Sequence, residues 1–131
     1  MTDSGNPATY RQLFVIGINE FTMTDRLNEE NFVNGECASE KRTIVVFHAT
    51  WCPFCRRFVS EFEQLVPSRG VEAALVDVSD VDSPLWGMFS IDVVPTAILF
   101  DNGKPVARLD GKSGIGIPPA EFRAFAERAI V

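Results

Sequence analysis

"HATWCPFCRRF", residues 48 to 58, holds two cysteines three positions apart, with a tryptophan before them and an amphipathic run behind. Three kinds of chemistry use such a spacing: a metal clip, a structural disulfide, and a pair that cycles between dithiol and disulfide. The helix that follows helps to separate them. With Cys52 as N-cap, Pro53 falls at the first helical position, where its missing N–H costs nothing. Cys55, Phe58, Val59, Phe62, Leu65 and Val66 then recur at intervals of three and four, while Arg56, Arg57, Ser60, Glu61 and Gln64 take the other side. Pro67 and Gly70 stop the run. Cys52 therefore sits among unpaired N–H groups at the positive end of a helix dipole, and both favour thiolate over thiol. Cys55 lies one turn further on, on the apolar stripe. One sulfur placed to attack, with a shielded second sulfur close by, is the asymmetry that disulfide exchange requires.

Working outward, "RTIVVFHA" (42–49) is a continuous apolar run that suits a central strand covered on both faces. "VEAALVDV" (71–78) reads as another buried strand, and "DSPLWGMFS" (82–90) as a short helix capped by Asp82 or Ser83 that packs Trp86 on the sheet. "TAILFDNGKPVARLD" (96–110) is a hairpin, its Asn102-Gly103 pair supplying the turn residues such a connection prefers. Pro118 and Pro119 open a closing helix whose apolar stripe is Phe122, Phe125, Ala126, Ala129 and Ile130. Upstream, "TDRLNEENFVNG" (24–35) offers Thr24 or Asn28 as a helix cap, with Leu27, Phe32 and Val33 as the inner face and Gly35 as the stop. "LFVIGI" (13–18) reads as a further short strand behind a loose leader, residues 1–12, broken by Gly5 and Pro7. The division expected is an N-terminal extension over 1–20, carrying an extra or first strand, and one domain over 21–131. The alternation of strands and helices implies an α/β fold, a central mixed β-sheet flanked by helices on both faces.

A chain of 131 residues, 46% hydrophobic, buries a core without staples. Its net charge of −6 gives no electrostatic case for nucleic acid, which needs a basic stripe. Three cysteines are too few, and odd in number, for a secreted disulfide scaffold. The N-terminus lacks the apolar core of a signal peptide, and "LFVIGI" is too short to span a bilayer. A soluble, cytoplasmic monomer in a reducing compartment is the expectation. There a close cysteine pair is more often catalytic or metal-binding than structural. His48, Cys37, Cys52 and Cys55 contain the residue types of a Cys₃His zinc set. Cys37 lies on a separate segment, however, and two ligands in one helical turn do not make a site, so no metal is expected. Cys37 reads as an incidental half-buried residue. His48 reads as a packing residue with a candidate proton-transfer role, since a histidine side chain titrates at about 6.5. Trp51, beside a reactive thiol, makes an apolar landing surface.

"FHATWCPFC", "SIDVVPTAILFDNGKPV" and Gly111, at these distances from one another, resemble the thioredoxin family over about Phe21 to Val131. The resemblance implies a thioredoxin-like fold and a thiol–disulfide oxidoreductase that reduces protein disulfides. Cys52 would be its nucleophile and Cys55 its resolving thiol, with no cofactor because the cysteines store the electrons. It also implies that Pro95 in "VVPT" is cis and lies across from the cysteines. The backbone of Val94 would then pair with an extended target strand, and Trp51, Pro53 and Phe54 would form the surrounding surface. The implied electron donor is a thioredoxin reductase-like protein or glutathione.

The chain departs from that family at several positions. Pro53-Phe54 is closer to the Pro-Tyr dipeptide of glutaredoxins, which raises a glutathione-dependent reading, although "LFDNGKPVARLDG" follows the thioredoxin hairpin. Val46 and Val76 stand where thioredoxins carry a buried aspartate and a lysine, so neither can move the proton of Cys55. Without those charges, a redox-inactive binding module is a further alternative. His48 replaces an aromatic residue, and Asp110 and Lys112 flank Gly111 in a loop that is usually apolar.

Overall fold

The computed structural model describes residues 25–65 and 71–129. The expected strand at 13–18, the stop at Pro67 and Gly70, and Ile130 lie outside the described residues.

The expected helix over 24–35 is not formed. That stretch holds β1 (Asp25–Leu27), a single 3-10 turn (Glu29–Asn31), β2 (Phe32–Val33) and β3 (Glu36–Cys37). Local polar chemistry explains the change. The Asn28 side chain accepts the Glu30 N–H at 2.8 Å, and the Asn31 side chain accepts the Asn28 N–H at 2.9 Å. This closes one turn and no more, because Phe32 is already extended, at φ −129° and ψ 131°. Asn34 and Gly35 both take positive φ, 52° and 80°, and turn the chain into a small antiparallel hairpin pairing Phe32 with Cys37. Phe32 is buried and Val33 is 64% exposed, the alternation of a strand and not the shared face of a helix.

The rest follows the pattern of apolar residues. β4 (Thr43–His48) is the central strand, parallel to β5 (Glu72–Asp77) and antiparallel to β6 (Thr96–Asp101). β6 turns at Asn102-Gly103, where φ is 56° and 87°, into β7 (Lys104–Asp110). The sheet order is β1-β5-β4-β6-β7. Ile44, Val45, Val46 and Phe47 are all fully buried, as a strand covered on both faces requires.

Two apolar layers sandwich this sheet. On one side, α1 (Pro53–Leu65) and α3 (Pro119–Arg128) bring Phe58, Phe62, Phe122 and Phe125 onto Ile44, Val46, Leu75 and Leu99. Phe122 meets Phe58 edge-to-face at 5.0 Å and Phe62 at 5.5 Å, favourable aromatic geometries at the centre of that layer. On the other side, Phe32, Phe47, Phe89 and Phe100 form a second aromatic cluster with Leu85. It is roofed by the β2–β3 hairpin and by α2 (Leu85–Met88), a single turn whose Leu85 N–H donates to Ser83 Oγ at 3.3 Å. No helix among the described residues is long and apolar enough to cross a membrane.

Candidate active site

β4 ends at His48, and a tight turn converts it into α1. The Cys52 N–H donates to the Ala49 carbonyl at 3.3 Å, and the Cys52 carbonyl then accepts the N–H groups of Cys55 and Arg56 at 3.1 and 3.2 Å. Cys52 is therefore the residue from which the helix starts. Its sulfur completes the cap: the Cys55 N–H donates to Cys52 Sγ at 3.3 Å. A sulfur that accepts a backbone N–H at the start of a thirteen-residue helix is in a place that stabilises negative charge.

The same sulfur faces the segment before β6. Its thiol donates to the Val94 carbonyl at 3.5 Å, and the Val94–Pro95 peptide bond is cis. Arg108 on β7 steadies the chain leading there by donating to the Phe89 carbonyl at 2.7 Å. Gly111 presses against it from the far side, where a Cβ would overlap the Pro95 carbonyl oxygen. Glycine is required by that approach.

Cys52 is 6% exposed and Cys55 fully buried, and both are reduced. Burial pushes the Cys55 thiol up to about 12, and a hydrogen bond with the Cys52 sulfur adds to the rise, while contact with the Ala49 backbone opposes it. Coulombic repulsion from the Cys52 sulfur raises it further. Trp51, 53% exposed, and Phe54, 39% exposed, flank the pair, with Pro53 exposed between the cysteines. Phe54 packs onto the Lys112–Gly116 turn so closely that a Cβ at Gly116 would stand 2.9 Å from that of Phe54. The Trp51 indole stacks on Trp86 at 6.3 Å. The predicted site residues Trp51, Cys52, Pro53, Phe54, Cys55, Val94 and Pro95 are thus gathered at one end of the sheet.

His48 ends β4 and is half-buried. Burial lowers its side chain below the usual histidine value, the neighbouring Asp77 carboxylate opposes that, and Arg26 reinforces it. It is a neighbour of Asp77, its register partner on β5. Cys37 is at the opposite end of the sheet, its N–H donating to the Gly103 carbonyl in the β6–β7 turn at 2.7 Å. Among the described residues no group of three His, Cys, Asp or Glu side chains could hold a metal.

The two valines require a correction. Val46 packs in the layer beneath α1, and Val76 packs in the opposite layer. Side chains alternate across a strand, so the neighbour of Val46 on its own face is its register partner Leu75. The position that could have shared a charge pair with 46 is 75, and it too is apolar. Sequence spacing alone could not place the frame to within one residue on β5.

A family model described as Thioredoxin matches residues 23–116. The chain belongs to the thioredoxin family. It is 33% identical over 101 residues to a thioredoxin of Mycolicibacterium smegmatis, covering 74% of this chain and 89% of that one. It is also 30% identical over 94 residues to a bifunctional thioredoxin reductase/thioredoxin of Mycobacterium leprae, covering 70% of this chain and 20% of that one. The structure is similar to that of thioredoxin f from spinach chloroplast, with a TM-score of 0.65 at 18% identity, covering 82% of this chain and 87% of that one. Family, fold and the adjacent cysteine pair together make the protein a thiol–disulfide oxidoreductase. The inactive-module reading is set aside.

Proposed function

We propose that the protein reduces disulfides in other proteins, with Cys52 as the attacking sulfur and Cys55 as the resolving one. The observation that carries this assignment is the asymmetry of the pair: Cys52 Sγ accepts a helix N–H at the rim, and Cys55 is buried one turn behind with its thiol pushed up to about 12. The Cys52 thiolate attacks a target disulfide, forming a mixed disulfide and releasing one target thiolate. Cys55 then gives its proton to solvent and attacks Cys52 Sγ. The second target sulfur leaves, and the pair ends as a disulfide, oxidised by two electrons.

The target strand lies along Val94 and Pro95 as a β-addition, between Trp51 on one side and Phe54 on the other. This apolar rim favours a polypeptide over glutathione, whose recognition requires charged partners. An electron donor of the thioredoxin reductase kind returns the pair to dithiol; the Mycobacterium leprae relative, whose name joins the two activities in one chain, supports that source. A reducing, cytoplasmic setting suits the odd cysteine count. Assaying a protein disulfide beside a glutathione mixed disulfide tests the substrate class. Faster reduction of the protein disulfide is expected, and the reverse order would transfer the protein to the glutathione-dependent reading.

Val46 and Leu75 are apolar and neither can take the proton of Cys55, so resolution of the mixed disulfide is slow near neutral pH. Val46→Asp places a carboxylate in the layer beneath α1. It should speed turnover about a hundredfold, at the low end of what a positioned base contributes, while lowering stability by roughly 2 kcal/mol for the buried polar group. Unchanged or slower turnover in the folded variant would count against this account of the missing charges.

A further inference from the structure

Thr50 and Trp51 are the two central residues of the turn that joins β4 to α1, directly before Cys52. Both are held by a single residue from another segment, Ser79. The Thr50 N–H donates to Ser79 Oγ at 2.7 Å, the two hydroxyl oxygens lie 3.1 Å apart, and the Trp51 indole N–H donates to the Ser79 carbonyl at 2.9 Å. Ser79 is fixed in turn by Asp77, whose Oδ1 accepts the Ser79 N–H at 2.8 Å and also the Ser79 hydroxyl. Every polar group of Ser79 is engaged.

The sense of these bonds follows from the donor count. A serine hydroxyl has one proton and two lone pairs, and an ionised carboxylate only accepts. Asp77 is held below the usual carboxylate range: burial raises it, but hydrogen bonds from the Ser79 side chain and backbone, with His48 beyond them, outweigh that. The Ser79 proton therefore goes to Asp77. Its two lone pairs turn toward Thr50, one accepting the backbone N–H and the other the Thr50 hydroxyl proton.

We propose that Ser79 is a positioning residue for disulfide exchange, its hydroxyl oriented by Asp77 so that it clamps the Thr50–Trp51 turn and presents Cys52 Sγ beneath the Val94 carbonyl. This rests on Cys52 being the attacking sulfur. His48 belongs to the same chain of contacts, as the neighbour of Asp77. Arg56 closes the turn from the helix side, its guanidinium donating to the Thr50 carbonyl at 3.1 Å.

The test uses the reduced full chain and a small aromatic nitrobenzoate disulfide, whose reaction with a thiol needs no strand pairing. Ser79→Ala should slow the second-order reaction about fivefold, the scale of one net hydrogen bond, at a temperature where both proteins are fully folded. Ser79→Thr, which keeps the hydroxyl, should restore the rate to within about twofold of the parent. Asp77→Ala should also slow it, because it removes the oxygen that accepts the Ser79 N–H and hydroxyl and frees that hydroxyl to turn away from Thr50. A merely structural role would lower the melting temperature and leave these rates alone. Parental rates in folded Ser79→Ala overturn the proposal, as does an equal loss in the alanine and threonine variants. If Ser79→Ala does not fold, Asp77→Ala decides by the same rate. Cys52→Ser with the same probe separately tests the reading on which the proposal rests: it must be unreactive at this site.

Discussion

Cys52→Ser should abolish reduction of a protein disulfide, by a thousandfold or more on the rough scale set by removing a catalytic nucleophile. Cys55→Ser should lose turnover to a similar degree but keep the first half-reaction. The difference follows from the two environments. Cys52 is the sulfur that the helix N–H and the Val94 carbonyl hold at the rim. Cys55 is fully buried behind it. Without Cys55 the mixed disulfide cannot be resolved from within, so a covalent adduct with the target should accumulate on Cys52 and be released by added dithiothreitol. Mass spectrometry of the intact protein after mixing with a disulfide substrate reads this directly. An adduct that forms on Cys55 in the Cys52→Ser variant, with none in the Cys55→Ser variant, would reverse the two roles.

The second large effect belongs to a residue with no side chain. Gly111→Ala should cut the catalytic efficiency with a protein disulfide about tenfold, because a Cβ at this position overlaps the Pro95 carbonyl oxygen and one of the two segments must move. Pro95 and Val94 carry the surface proposed for the target strand, and the Val94 carbonyl faces Cys52 Sγ. The same overlap should cost about 1–3 kcal/mol of stability, as overpacking does. Reaction of Cys52 with a small thiol reagent should change far less than turnover of the protein substrate, since the reagent needs no strand pairing. Parental turnover in Gly111→Ala would mean that the loop yields outward and leaves the Pro95 segment in place. An equal loss with both reagents would mean that the damage reaches the sulfur itself.

The contrast between Gly111 and Ser79 marks how far a sequence can be read. Strands β4 to β6 and the helices α1 and α3 were legible because their apolar residues keep a pattern that only one element type can bury. Val45 to Phe47 are continuous, and Phe58, Phe62 and Phe122 lie on stripes. The cysteine pair and Pro95 were legible because each is a rare residue in a rare setting. Residues 24–35 were misread because Leu27, Phe32 and Val33 fit a helical face as well as they fit short strands. The deciding signal was the Asn34-Gly35 dipeptide, which has the same turn chemistry as Asn102-Gly103, whereas Gly35 alone reads as a helix stop. Val76 was misassigned because a one-residue slip on β5 exchanges the two faces of the sheet, and nothing local fixes that register. Ser79 and Thr50 could not be paired in advance. They are twenty-nine positions apart, ordinary polar residues in loops, and meet only because β4 and β5 run parallel and end together.

The most direct measurement is alkylation of the reduced protein with a limiting amount of iodoacetamide at neutral pH, followed by peptide mapping. The account predicts label on Cys52 while Cys55, buried and with its thiol pushed up to about 12, stays unmodified. Label that reaches Cys55 first, or both sulfurs at equal rates, would contradict it.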